Sequence, residues 1–229
     1  MIKCIAFDMD DTLYDERDYY SSGFAAVAAR IAVDFRLPTE EIFHTLCRIF
    51  DGGNRQNTFD TIASEMGVIF KAGYIENLVK IFREHTPDIN MPADSRAVLE
   101  ILKQRYKLGL ITDGYLPAQR LKVKSLNIET YFDCIIYTEE LGREKWKPSP
   151  AGFEKLVADL EIPPRQCVYV GDNLEKDFIA PNKMGFETIR IIRENRIHFG
   201  KAADLHAAAN YEIDSISKLP VLLREINGL

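Results

Sequence analysis

The chain has 229 residues, 46% of them hydrophobic and 28% charged, and carries a formal net charge of −6. That length and apolar fraction support a packed core in one large or two modest units, and no apolar stretch is long enough to span a bilayer. The acidic balance argues against a nucleic-acid polymer bound over a broad surface, yet a small anion can be held where a few cations gather.

The first residues hold one lysine and then a strand-like run, without a long apolar centre or a small-residue cleavage site, so a cytoplasmic protein is expected. The four cysteines, Cys4, Cys47, Cys134 and Cys167, are far apart with no C-x-x-C pair. Three lie in apolar runs where cysteine packs as a small hydrophobe, which argues against a zinc site or a disulfide framework.

In chain order, residues 2–7 (IKCIAF) read as a short buried strand. From about 15 to 91 no strand pattern occurs. Segments 17–35, 39–50, 56–67 and 72–85 show helical spacing, as in Ile42, Leu46 and Ile49, and are separated by Leu37-Pro38, Asp51-Gly52-Gly53, Gly67 and Pro87. Then strands and helices alternate: helix 92–106, strand 108–112, helix 116–126, strand 133–137, helix 149–160, strand 167–170, helix from about 174 to 184, strand 187–192. Residues from about 203 read as ordinary structure. Apolar strands alternating with helices predict an α/β fold, a Rossmann-like parallel sheet flanked by helices. The expected division is a core of 1–14 and 92–229 with an all-helical insert of 15–91.

The unusual polar residues fall at the ends of predicted strands. Asp8 and Asp10 follow the first, Thr112-Asp113-Gly114 the second, Lys147 the third after a loop, and Gly171-Asp172 the fourth. In an open parallel sheet the carboxyl ends share one edge, where ligands bind. Asp8, Asp10 and Asp172 would meet there and repel one another unless a cation intervenes. Oxygen ligands without His or Cys suit Mg²⁺. Lys147, the Thr112 hydroxyl and the amides of Asp113 and Gly114 would cradle an anion. A nucleophilic carboxylate, a second carboxylate, a divalent cation, a lysine and amide donors are what phosphoryl transfer needs.

Each cluster alone is compatible with a helix cap or a turn. An EF-hand is excluded, because Leu13 stands where that loop needs Gly and Tyr19 where it needs Glu. Taken together, "DMDDT", "LITDG", "KWKPSP" and "VYVGDNLEKD" resemble, in order, the four motifs of the haloacid dehalogenase superfamily, in its subfamily I phosphatase branch with a C1 helical cap. The resemblance implies that Asp8 is the nucleophile and that Asp10 protonates the leaving group and later deprotonates water. Mg²⁺ would be held by the Asp8 carboxylate, the Asp10 backbone carbonyl and Asp172. Thr112, Asp113, Gly114 and Lys147 would bind phosphate, with Lys147 also orienting Asp8. Asp177 would support the metal ligands, Gly171 and Asn173 would flank them, and Thr12 would brace the loop carrying Asp10. Asp11 is given no catalytic role of this kind by its side chain; its backbone is expected to help shape the loop.

The implied activity is Mg²⁺-dependent hydrolysis of a small phosphorylated metabolite, such as a sugar phosphate, a nucleotide or phosphoglycolate, through a phospho-aspartate. Asp10 disfavours dehalogenase and phosphonatase chemistry. A sugar phosphomutase on the same apparatus, or a phospho-aspartate signalling or binding module, are the alternatives. Arg17, Asn54, Arg55 and Asn57 are candidates for contacting substrate from the insert, against the competing reading of a solvated loop. Tyr19, Tyr20 and Trp146 are placed to line the site or simply to pack. His44, His85, His198 and His206 match none of the motifs and are read as packing or solvent-facing.

Overall fold

The structure is a computed structural model and describes residues 1–53, 55 and 57–228. Strand β1 (Cys4–Phe7) is followed by four helices, α1 (Glu16–Phe35), α2 (Thr39–Asp51), α3 (Thr58–Glu65) and α4 (Tyr74–Glu84). Then come α5 (Ala93–Lys103), β2 (Lys107–Thr112), α6 (Ala118–Leu126), β3 (Cys134–Tyr137), α7 (Ala151–Leu160), β4 (Cys167–Gly171), α8 (Ile179–Met184) and β5 (Glu187–Ile191). A short β6 (Tyr211–Ile213) and α9 (Leu219–Ile226) complete the described elements.

The strands form one sheet in the order β3-β2-β1-β4-β5-β6, and every neighbouring pair is parallel. The expected Rossmann-like α/β fold is therefore observed. Alternate residues of β1 serve different cores, as the two-residue strand period requires. Ile5 and Phe7 pack on one face with Leu99, Leu110 and Val170; Cys4 and Ala6 pack on the other with Phe153, Leu156 and Tyr169. Both faces are covered, so the strands read as uninterrupted apolar runs. The winding reverses at β1, which lies between β2 and β4, and the crevice at its carboxyl end is the ligand position of such sheets.

Helices α1 to α4 enclose a separate apolar cluster that includes Phe24, Ile31, Ile42, Leu46, Ile49 and Leu78. Ile42, Leu46 and Ile49 all turn inward, as their spacing predicts. Helix α1 ends where Arg36 takes a left-handed φ of 57° and donates its N–H to the Ala32 carbonyl, and Leu37-Pro38 then redirects the chain. None of the helices of the described residues is long and apolar enough to cross a membrane.

Two elements differ from expectation. The helix predicted from 174 begins only at Ile179. Residues before it form a turn instead, because Asp177 Oδ2 accepts from the backbone N–H of Asp172 (3.2 Å) and Asn173 (2.9 Å), while Asn173 Oδ1 accepts from Glu175 N–H (2.9 Å). The three-residue β6 is too short for its period to be read from sequence, and it forms by pairing with β5.

Candidate active site

The β1 ladder continues one residue past the strand: Asp8 N–H donates to the Val170 carbonyl at 2.8 Å. This fixes the Asp8 carboxylate between the ends of β1 and β4, where it is buried. Lys147 reaches it from the loop before α7. Its Nζ donates to Asp8 Oδ1 (2.5 Å) and Asp177 Oδ1 (2.7 Å) and to the Tyr169 hydroxyl (2.9 Å), with its side chain 1% exposed. Carboxylate oxygens of Asp8, Asp172 and Asp177 all lie within 4.8 Å of one another.

Lys147, with Lys176 nearby, does not offset the burial of all three carboxylates. Burial pushes Asp8 up to about 7 against the pull of Lys147, and Asp177 adds to the rise. Asp172 is raised well above the usual carboxylate range by burial and by its neighbours Asp177 and Asp8. Asp177 is held low, because Lys147 and Lys176 outweigh its burial. Asp172 Oδ2 is buried with no hydrogen-bond partner among the described residues. An orphaned oxygen in a cluster of buried carboxylates fits a hard divalent cation such as Mg²⁺.

Asp10 sits beside this cluster in a different environment. Its Oδ1 accepts from the Tyr14 hydroxyl (2.5 Å) and Lys122 Nζ (2.8 Å), and its Oδ2 from Gln119 Nε2 (3.2 Å). Burial pushes Asp10 up, but Lys122, Tyr14 and Gln119 outweigh it and hold the carboxyl below its ordinary value. Two carboxylates two residues apart are thus driven in opposite directions.

Asp11 shapes the loop through its side chain as well as its backbone. Its backbone adopts a left-handed φ of 52°, and its fully buried carboxylate accepts from the N–H of Glu16 (2.9 Å) and of Ile197 (2.7 Å). It ties the loop after β1 to the first residue of α1 and to the loop after β5. Thr12 is fully buried beside it, and its carbonyl accepts from Arg193 Nε (3.1 Å).

The β2 end is arranged less simply than expected. Thr112 is 1% exposed and its hydroxyl donates to Gln119 Oε1 (3.1 Å), so that proton is already engaged. The Asp113 carboxylate braces the loops: Oδ1 accepts from the Thr138 hydroxyl (2.8 Å) and Lys147 N–H (3.2 Å), and Oδ2 pairs with Lys176 Nζ (3.3 Å). Gly114 has φ 142°, a conformation that favours glycine, and a Cβ there would lie 2.2 Å from Gln119 Nε2 and displace that side chain.

Above the strand ends lies a cavity of about 360 Å³, reached by Asp8, Asp10, Asp113, Gly114 and Asp172 from the sheet. The insert contributes Tyr19, Tyr20, Arg55, Phe59, Phe82 and Arg83. Arg55 Nη1 donates to the Ile197 carbonyl (2.7 Å), its guanidinium lies over the Phe50 ring at 4.9 Å, and its Nε is buried without a hydrogen-bond partner among the described residues. Trp146 also lines the cavity and packs edge-on to Tyr115. Arg17 does not line it, because Asp51 at the surface claims its guanidinium. Asn57 precedes α3, is exposed and does not line it either. Asn54 lies outside the described residues.

Sequence reasoning missed Gln119, Lys122, Lys176, Arg83 and His198, all of which line the cavity. Gln119 and Lys122 left a signal: a polar pair at i, i+3 shares one face of α6, the helix reached by the short loop after β2. His198 is partly exposed there, and the Glu16 carboxylate 3.6 Å away holds its imidazole above the usual value against partial burial.

Residues 5–191, which span all four strand ends, match the family model described as haloacid dehalogenase-like hydrolase. The chain belongs to that family. It is 29% identical to glyceraldehyde 3-phosphate phosphatase of Methanopyrus kandleri over 248 residues, covering 99% of each chain. It is 24% identical to human N-acylneuraminate-9-phosphatase over 241 residues, covering 99% of this chain and 95% of that one. Among solved structures it is similar in fold to a 2-haloacid dehalogenase from Pseudomonas syringae pv. tomato DC3000, with a TM-score of 0.67 and 24% identity over 99% of this chain and 100% of the other.

Proposed function

We propose that the chain is a Mg²⁺-dependent phosphomonoester hydrolase that acts on a small phosphorylated metabolite through a phospho-aspartate on Asp8. The observation that carries this reading is the pairing of unlike carboxylates. Asp8 is clamped by Lys147 next to the metal-compatible cluster, while Asp10 is anchored separately by Tyr14, Lys122 and Gln119. The relatives named as phosphatases support the reaction class. Their names point to different phosphate esters, so they do not select one.

An Asp8 carboxylate oxygen attacks phosphorus, the bond from phosphorus to the ester oxygen breaks, and Asp10 gives that oxygen its proton. A dianionic phosphate arriving beside Asp10 raises its proton affinity, which counters the cations that keep the resting carboxyl low. Water then loses a proton to Asp10 and attacks phosphorus, and the Asp8–phosphorus bond breaks to release inorganic phosphate. Asp8, Asp172 and the Asp10 backbone carbonyl would hold Mg²⁺, supported by Asp177. The ion would supply charge neutralisation between the attacking carboxylate and the phosphoryl oxygens. Lys147 keeps Asp8 oriented; the Asp113 and Gly114 amides and the Thr112 hydroxyl would receive the phosphoryl oxygens once the Gln119 bond is exchanged.

We assign residues 15–91 as a cap over the catalytic core of 1–14 and 92–229. Its helices cover the reacting groups, exclude bulk water and carry the selectivity, with Arg55 as the cation that meets the substrate's leaving portion. The test is release of inorganic phosphate from a panel of phosphorylated metabolites, with and without Mg²⁺, by wild type and Asp8→Asn. Full activity in the variant would sink the mechanism. Conversion of sugar phosphates with little phosphate release would make it a mutase.

A further inference from the structure

Lys122 has so far appeared only as an anchor of Asp10, and its setting is unusual. Its side chain is 3% exposed in the middle of α6, and its ammonium has three close neighbours among the described residues. Asp10 Oδ1 lies at 2.8 Å, Glu16 Oε1 of α1 at 3.9 Å, and the centroid of the Tyr19 ring at 4.0 Å. A lysine is buried this way only when its charge is compensated, and its rotamer is fixed by those contacts.

Resting on the phosphatase reading above, we propose that Lys122, with Gln119, is a positioning residue that orients the Asp10 carboxylate for proton transfer to the leaving group. Oδ1 of Asp10 is committed to two short contacts, from Tyr14 and Lys122. Oδ2 has one longer contact, 3.2 Å from Gln119 Nε2. The carboxyl cannot rotate without breaking the Oδ1 pair, so Oδ2 is the oxygen that carries and delivers the proton. Gln119 is itself set by the Thr112 hydroxyl and by the close approach of Gly114. The ammonium never touches the substrate; it acts through Asp10.

Leaving-group dependence separates this from a structural role. An alkyl phosphate such as glycerol phosphate needs a proton on its departing oxygen, whereas p-nitrophenyl phosphate departs as a stable anion. The phosphorylation step is measured by single turnover with Mg²⁺ present, alongside kcat and KM, for wild type, Lys122→Met and Lys122→Arg. For the methionine variant the alkyl rate should fall about 100-fold and the aryl rate less than about 5-fold, within the range of one general acid. KM should change little for either ester, and arginine should restore part of the alkyl loss. Equal loss on both esters, or no loss, overturns the proposal.

Should the methionine variant not fold, arginine keeps the charge but alters its geometry. An alkyl loss at least about 10-fold larger than the aryl loss then supports the positioning role, and an equal loss overturns it. A wild type that releases phosphate from neither ester nor from any metabolite of the panel overturns the phosphatase reading itself, and this proposal with it.

Discussion

The backbone N–H of Ile197 donates to the carboxylate of Asp11 at 2.7 Å, across 186 residues of sequence. The same residue's carbonyl accepts from Arg55, and its side chain is buried in the apolar cluster of α1 to α4. Four residues earlier, Arg193 donates to the Thr12 carbonyl and to Ser95 Oγ, one on each connection between sheet and insert. The loop after β5 thus straps the insert over the strand ends.

Removing the acceptor should loosen that strap. Asp11→Ala leaves the N–H groups of Glu16 and Ile197 without partners, at a cost of about 1–3 kcal/mol for each buried donor. Urea unfolding should show the variant about 2–6 kcal/mol less stable than wild type. A loss below 0.5 kcal/mol (about the effect of an ordinary surface change) would mean that water replaces the carboxylate at no cost.

Metal should stabilise the protein in a pH-dependent way. Without metal, burial pushes Asp8 up to about 7, against about 4 for an unfolded aspartate. Between those values the folded state binds the extra proton, so stability falls as pH rises through that window. Mg²⁺ binds the ionised form, so the rise in Tm on adding it should be larger at pH 7.5 than at pH 5. Asp172→Asn should blunt the rise. A Tm increment independent of pH would contradict the assignment of Asp8 as a ligand.

Arg55→Ala should separate recognition from chemistry. The side chain lines the cavity from the insert, and its hydrogen bond goes to the Ile197 carbonyl rather than to Asp8 or Asp10. Ratios of kcat/KM among phosphorylated metabolites should shift by about tenfold, the size of one charge-assisted hydrogen bond. Aryl phosphate turnover should stay within about threefold. A uniform loss across all esters would assign Arg55 to cap packing.

The pair formed by His198 and Glu16 is readable by NMR. Glu16 raises the imidazole, so the His198 titration midpoint should lie above about 6.5, and Glu16→Gln should return it toward that value. A raised histidine stabilises fully below the unfolded value, and the contribution fades as pH rises through the folded one. For a partly exposed pair it is worth less than about 1 kcal/mol. A midpoint unmoved by the substitution would remove Glu16 as the cause.

Much of this arrangement is legible from the residues alone, because the signals involved are local. Strand and helix periods identify β1 to β5 and the helices of the insert, and burial on both faces makes the strands uniformly apolar. Parallel strands put their carboxyl ends on one edge, so Asp8, Lys147 and Asp172 could be brought together before any coordinate was known. What only the tertiary structure decided is the choice of partners. Lys122 and Gln119 reach Asp10 across 112 and 109 residues, and Ile197 reaches Asp11 across 186. Arg17 turns to Asp51 rather than to the cavity, and Asp177 closes a turn where helical spacing predicts a helix. A residue's period records which face it occupies. Which side chain lies opposite depends on strand order and on how the insert folds back, and no local pattern carries that information.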